Sequence, residues 1–411
     1  MLDLYEETSL SKKKVALKTG FLDWNMQPCI FKHYPTSLFS YPLSTTPELR
    51  LLYLARCVTS THTVAGRPYK RLSTPSAGNL HPLEIYVQIR GIKGILSGIY
   101  HLNSDEDTLV LIRDIEADGI ETSLGLKNRF KGMIIMVSSV PFRSIWKYQQ
   151  RAIRYCYLDL GHQLAALEAA AVNGKQKLTF LSDFDTARIS KDMGFDEQEH
   201  VVSALLCGEM SAKEGKELDF PVMRVQPTDY YEHHAIQEKV FSHHQSFTGP
   251  RMQAELQISK GLQERILSRR SAREFRLEKI KQESLEHIMH MLTQLPQTIS
   301  THMVLMRAET HEPGLYRGSG LIREGMFVNK IVDLLVHQQF IFNASLVLVF
   351  SSPNYNAKLL TQISYFTHVL NLCLFDMDLG MSGVGAFYDK ELQGFLQTEE
   401  KILYTAVLGN V

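Results

Sequence analysis

Hydrophobic and polar positions follow two alternating periods along this chain, and the pattern occurs twice. Strand-like runs with β-branched and aromatic residues, EIYVQIRG (84–91) and HMVLMRAE (302–309), each lie beside a turn of Gly, aliphatic residue and Tyr. Those turns sit in GILSGIYHL (94–102) and THEPGLYRG (310–318). Two long apolar stretches read as helices closed by glycine, RYCYLDLGHQLAALEAAAVNG (Arg154–Gly174) and SYFTHVLNLCLFDMDLG (Ser364–Gly380). Each precedes a short strand, a helix start at Phe184-Asp185 or Phe387-Tyr388-Asp389, and a final β segment, VVSALLCG or ILYTAVLG. Matching points lie roughly 200 residues apart, so one α+β unit is expected twice, with heavy divergence.

The expected organisation is an N-terminal extension over 1–45, a first half over 46–219, a linker over 220–255 and a second half over 256–411. Pro28, Pro35 and Pro42 argue against long helices in the extension. The linker has few periodic apolar residues. Its pairs His233-His234 and His243-His244 lack helical i, i+4 spacing and carboxylate company, so they read as solvated and no metal site is expected.

Composition narrows the role. With 44% hydrophobic and 21% charged residues the chain can build a core, and its formal net charge of +0 argues against a nucleic-acid or acidic-membrane binder. No apolar run reaches the roughly 18 residues of a membrane span. The start, MLDLYEETSLSKKK, does not read as a signal peptide. The five scattered cysteines show no CxxC spacing and suggest reduced thiols in a cytoplasmic protein.

Three segments could carry chemistry. The loop Pro75-Ser76-Ala77-Gly78-Asn79 is small, polar and rich in backbone donors, able to approach a flat ring; composition alone favours an ordinary turn before a strand. Arg269, Arg270, Ser271 and Arg273 place forked cations beside a hydroxyl, which suits a phosphate, although basic residues also settle at a solvated helix end. The run Leu379–Phe387, holding Gly383-Val384-Gly385-Ala386, reads as a helix end and strand start with bare backbone, and its GxG is weak by itself.

In this order around a repeated unit, the segments resemble the nitroreductase-like flavin enzymes, and within them the SagB-type dehydrogenases that oxidise azolines in ribosomal peptides. The resemblance spans nearly the whole chain: DWNMQPCIFKHYP (23–35), RLSTPSAGNLHPLEIYV (71–87), Gly98–His101, Trp146-Lys147-Tyr148 with Arg154-Tyr155 and LDLGH (158–162), then RRSAREF and GVGAF. It implies an α+β nitroreductase fold in two divergent copies forming an intramolecular pseudo-dimer, alone or further dimerised. It also implies FMN.

Under that resemblance Arg269, Arg270, Ser271 and Arg273 hold the FMN phosphate or ribityl chain. Gly383, Val384, Gly385 and Ala386 line its ring, and Pro75, Ser76, Ala77 and Asn79 close the other side. Lys147 and Tyr148 match the family's proton-handling pair; their plainer reading is a surface pair opening a helix. The first half reads FKHYP and Phe180-Leu181-Ser182-Asp183 where RRSxR and GxGA would fall, and the second reads LPQTISTH in place of PSAGN. These complementary losses imply one composite FMN site per chain. Basic residues that many nitroreductases carry after the last strand are replaced here by Asn410-Val411. The implied reaction is azoline-to-azole oxidation of a peptide or small heterocycle, with other peptide-modifying enzymes as potential partners. Alternatives are an NAD(P)H-dependent nitro or quinone reductase and a flavin-free interaction subunit.

Overall fold

The computed structural model describes residues 4–17, 22–64, 66–242, 252–258 and 261–411. The chain divides into two compact units, Asp23–Thr248 on the one hand and Met1–Leu22 with Gly249–Val411 on the other.

In the Asp23–Thr248 unit, β-branched and aromatic runs form a seven-stranded antiparallel sheet. Its members are β1 (Ser40–Pro42), β4 (Leu83–Arg90), β5 (Gly98–Asn103), β6 (Thr108–Asp114), β7 (Asn128–Ser139), β8 (Thr179–Phe180) and β9 (His200–Glu214), in the order β1-β6-β5-β4-β7-β9-β8. A separate hairpin of β2 (Val58–Val64) and β3 (Arg67–Leu72) precedes β4. Strand β4 is buried on both faces apart from its last residue: Leu83, Ile85, Val87 and Ile89 make one face apolar, while Glu84, Tyr86 and Gln88 on the other are hydrogen-bonded or ion-paired. The helices that follow include α1 (Phe142–Tyr148), α2 (Ala152–Asn173) and α3 (Thr186–Asp192), the last capped by Asp185, whose side chain accepts from the Ala187 and Arg188 amides. Helix α2 is buried from Ala152 to Ala171.

The other unit carries a six-stranded antiparallel sheet of β10 (Ser300–Leu305), β11 (Gly314–Arg317), β12 (Gly320–Glu324), β13 (Leu346–Ser352), β14 (Leu379–Val384) and β15 (Lys401–Asn410), ordered β12-β11-β10-β13-β15-β14. Its helices include α4 (Leu262–Ser268), α5 (Ala357–Cys373) and α6 (Asp389–Leu396). Apart from the added β1, the two strand orders are the same permutation, with a long helix after the fourth strand of each set and a short one between the last two.

Local detail repeats as well. Register shifts fall between Ile99 and Tyr100 in one sheet and between Leu315 and Tyr316 in the other. The Tyr100 hydroxyl donates to the Leu96 carbonyl at 2.7 Å, and the Tyr316 hydroxyl to the Glu312 carbonyl at 2.7 Å. Ser138 donates to Glu199 at 2.6 Å, and Ser351 to Glu400 at 2.7 Å, each beside a second shift in the central strand pair. The echo of GIY and GLY in the sequence therefore marks one hydrogen-bonded corner built twice.

Several boundaries differ from the sequence reading. Helix α5 stops at Cys373; a 3-10 turn (Phe375–Met377) and Asp378 at φ 51° reverse the chain, and Gly380 lies inside β14. The apolar pattern runs on past the helix because β14 is itself buried. The first 45 residues are shared out. Residues 4–17 join the two-ended unit, where the Leu10 amide donates to Asp389 at 2.8 Å and the Ile402 amide reaches the Tyr5 hydroxyl at 3.4 Å. Residues from Asp23 on lie against the other unit as a strap, pinned by an ion pair of Lys32 Nζ with Glu199 at 2.7 Å.

Both partners of that pair are buried, and burial alone would lower the Lys32 ammonium; Glu199, together with Tyr34 and Glu84, more than offsets this and raises it. Residues 220–242 pack onto the same unit, with Phe142 edge-on to Tyr230 (5.3 Å) and Tyr231 (5.4 Å) and the Pro227 carbonyl accepting from Arg143 at 2.7 Å. His233 approaches the exposed Glu238, and His234 approaches the exposed Glu232 and stacks on Phe142 at 6.0 Å, while His243-His244 lies outside the described residues. Among the described residues no His/Cys/Asp/Glu group could hold a metal ion, the five cysteines form no disulfide, and no helix is long and apolar enough to cross a membrane.

Candidate active site

Two clusters of predicted residues form, one in each unit. In the Asp23–Thr248 unit the PSAGN loop becomes a 3-10 turn (Ala77–Asn79) leading into β4, with Gly78 at φ 64° and Asn79 at φ 59°. A side chain at Gly78 would run into the Tyr148 hydroxyl and lie 3.3 Å from Lys147 Nζ. The loop and the Lys147-Tyr148 pair, separated by some 70 residues, are thus in direct apposition. Glycine is required there twice over, for its backbone angle and for the space.

Asn79 is fixed on both sides of its amide: Nδ2 donates to the Lys70 carbonyl at 2.9 Å, and Oδ1 lies 3.0 Å from His81 Nε2. Ser76 Oγ donates to Asp159 Oδ2 at 2.5 Å and accepts from the His81 amide at 2.9 Å, while the Ala77 amide donates to Asp159 Oδ1 at 3.3 Å. Pro75, Ser76, Ala77 and Asn79 are all partly buried.

Asp159 belongs to the LDLGH stretch of α2 and was given no role by the sequence. A carboxylate in a helix buried all round was nonetheless a signal, because it must have polar partners. Burial pushes it up to about 7, against the opposing pull of the Ser76 and Ala77 hydrogen bonds and the Arg56 charge. Arg56 bridges inward, donating to Gln163 at 3.0 Å and to the Leu83 carbonyl at 2.5 Å. Beneath the loop, Arg143 pairs with Glu84 at 2.7 Å and donates to the His81 carbonyl at 2.9 Å. Burial would raise Glu84, but Arg143, His101 and Arg56 hold it well below the usual carboxylate range.

Lys147 and Tyr148 end α1, half-buried. Burial pulls the Lys147 ammonium below its ordinary value. Its Nζ lies 4.7 Å from the centroid of Trp24 and 5.3 Å from that of Tyr148, whose ring stands edge-on to Tyr155 at 4.6 Å. Trp24, supplied by the strap, also packs edge-on to Trp146 at 5.6 Å.

In the two-ended unit RRSAREF leaves the end of α4 and runs along the sheet. The Ala272 amide donates to the Met381 carbonyl at 3.0 Å and the Arg276 amide to the Asn410 carbonyl at 2.8 Å. This lays the arginine segment beside the strand that carries Gly383, so these two predicted motifs also meet. Arg269 is buried, and burial together with neighbouring Arg270 brings its guanidinium down to about 10, with Tyr404 opposing. Arg270 is exposed and Ser271 partly buried. Arg273 lies over Phe340 at 4.5 Å, with Gln338 Oε1 at 3.4 Å.

Strand β14 already contains Gly383 and Val384; Gly385 and Ala386 follow it, partly buried, and Val384 is buried. The segment is a paired strand with its end, where the sequence suggested a helix-to-strand turn. Gly383 has a local reason besides ligand access, because a Cβ there would collide with the Tyr404 hydroxyl of β15. Tyr404 was also missed, since nothing local in ILYTAVLG separates it from a core strand residue.

The profile of the Nitroreductase family matches residues 266–410. A protein of Methanocaldococcus jannaschii that carries the nitroreductase name is 32% identical over 127 residues, 30% of this chain and 60% of that protein. The trifolitoxin-processing protein TfxB of Rhizobium leguminosarum bv. trifolii is 31% identical over 130 residues, 28% of this chain and 33% of that protein. The chain thus spans less than two thirds of either relative. The crystal structure of a protein from Anabaena variabilis, titled a nitroreductase, superposes with TM-score 0.77 at 20% identity over 99% of this chain and 98% of that one. The chain therefore has the nitroreductase fold throughout.

Proposed function

We propose that this protein is an FMN-dependent oxidoreductase, a dehydrogenase of azoline-type rings in a modified peptide or similar small heterocycle. The observation that carries the reading is the apposition of the PSAGN turn with a half-buried Lys147-Tyr148 pair. The chain's residues suit the cofactor. Arg269 and Arg270 are adjacent cations, one of them buried, and an anionic phosphate would relieve their mutual repulsion. Ser271 and Arg273 would add donors to the phosphate or ribityl chain. Gly383, Val384, Gly385, Ala386 and the Pro75, Ser76, Ala77 and Asn79 set would border the ring, both sets serving one FMN per chain.

FMN, when bound, supplies a two-electron acceptor. The protein's part is proton transfer and orientation. Lys147 Nζ, its ammonium weakened by burial, can hold a free amine at neutral pH more readily than an exposed lysine and take a proton from a ring carbon. Tyr148 Oη, which lies against Gly78, would donate to the same ring. The likeness to a trifolitoxin-processing protein supports a peptide as the substrate and other peptide-modifying enzymes as partners. The likeness to a named nitroreductase supports the second reading, an NAD(P)H-dependent reductase.

Flavin released on denaturation is expected at one FMN per chain. Two would refute the shared site, and a colourless protein would refute the flavoenzyme. Lys147→Ala should keep the flavin and lose at least about a hundredfold in turnover, a typical general-base contribution. Arg273→Ala should weaken flavin retention. Bleaching of the flavin by NADPH without peptide would favour the reductase.

A further inference from the structure

The strap over the Asp23–Thr248 unit holds a residue that its own stability does not explain. Trp24 is 53% exposed, yet the turn that carries it is fixed from several directions. Asp23 caps that turn by accepting from the Asn25 amide at 2.9 Å. The Met26 carbonyl accepts from the Tyr230 hydroxyl, and the Cys29 amide donates to Asp229 at 2.9 Å. Farther on, Lys32 is locked to Glu199 inside the core. Single exposed apolar residues are ordinary on protein surfaces. A pinned indole left half in solvent beside a half-buried lysine is a different case, because the fixed geometry serves a surface and not a core.

The contacts define that surface. Lys147 Nζ lies 4.7 Å from the Trp24 ring centroid, and Trp146 stands edge-on at 5.6 Å, bracing the indole. We propose that Trp24 is the platform on which the planar ring of the substrate rests, a binding residue that selects flat, unsaturated five-membered rings. Lys147 Nζ stands over the indole, and a ring laid on the part of that surface the lysine leaves open gains stacking contact. A puckered, saturated ring of the same size loses most of that contact. The proposal rests on the oxidoreductase reading and names the substrate-binding residue of the same site.

The chain's tryptophans number two, and both belong to this cluster, so indole emission reports on it alone. In flavin-loaded Trp146→Phe protein, titration with 2-methyl-2-thiazoline, or with a tetrapeptide bearing a thiazoline, should change Trp24 emission saturably. Trp24→Leu should weaken binding of the same probes about tenfold by equilibrium dialysis and raise KM about as much, with kcat within about threefold; Trp24→Phe should restore most of the loss. Thiazolidine, the saturated ring, should bind weakly to every form. Unchanged affinity in Trp24→Leu, flat Trp24 emission at saturation, or failure of both probes to bind flavin-loaded wild type each overturns the platform. Flavin content of each variant keeps the two ideas apart: colourless wild type defeats the flavoenzyme reading, whereas flavin retained with unchanged probe affinity defeats only the platform.

Discussion

Replacing Asp159 by Asn tests the link between α2 and the PSAGN turn. The carboxyl is buried and moves from an ordinary 3.8 to about 7 in the folded protein, roughly three units, or about 4 kcal/mol at 1.36 kcal/mol per unit. A raised carboxyl binds its proton more tightly in the native state. Below about pH 3.8 both states are protonated and nothing is lost; stability then declines as pH rises to about 7, and above that the full cost applies. Asparagine is neutral throughout. Its Oδ1 can accept from the Ala77 amide and its Nδ2 can donate to Ser76 Oγ, with loss of about 1 kcal/mol for a hydrogen bond reversed in direction.

Asp159→Asn should therefore lie within about 1 kcal/mol of wild type at about pH 4 and exceed it by up to about 3 kcal/mol at about pH 8.5. Urea denaturation followed by tryptophan emission is the assay, because both tryptophans lie in the Asp23–Thr248 unit and report its unfolding. The difference between variant and wild type removes the contribution of every other titrating group. A difference that stays constant across this pH range would refute the buried-carboxylate argument.

Gly383→Ala should destabilise the two-ended unit by about 1–3 kcal/mol through collision with the Tyr404 hydroxyl, and Tyr404→Phe in the same protein should recover part of it by calorimetry. Lys32→Met strands Glu199 without its cation in the core and should cost about 3–5 kcal/mol in the same urea assay. Adding Glu199→Gln should return most of that loss, since a buried charge and not lost packing is the cause.

Much of the architecture was legible because it rests on period and repetition. The GIY and GLY corners, the two long apolar helices and the final β segments each left matching strings, and they occupy matching places in two sheets of one strand order. The end of α5 was not legible, because buried α5 and buried β14 give one unbroken apolar run and the reversal falls on Asp378 instead of a glycine. The partition of the first 45 residues was hidden as well, since it depends on partners such as Asp389 and Glu199 far along the chain. At the candidate site, PSAGN lies against Lys147-Tyr148, and RRSAREF runs beside the strand that leads into GVGAF, with Ala272 bonded to Met381. Geometry alone could show that Arg273 turns to Phe340 and that Asp159 holds the turn.

The two-ended unit also sets an order of assembly at the ribosome. Leu10 is made well before its partner Asp389, which follows 379 residues later. At about 5–20 residues per second that is a wait of roughly 20–75 s. The Asp23–Thr248 unit has all of its residues in hand long before this and can close while synthesis continues. The arginine and glycine motifs belong to the unit that must wait, so a ribosome stalled short of Asp389 holds a chain with all residues of its Lys147-Tyr148 cluster made and its RRSAREF segment still without β15, whose Asn410 carbonyl accepts from Arg276.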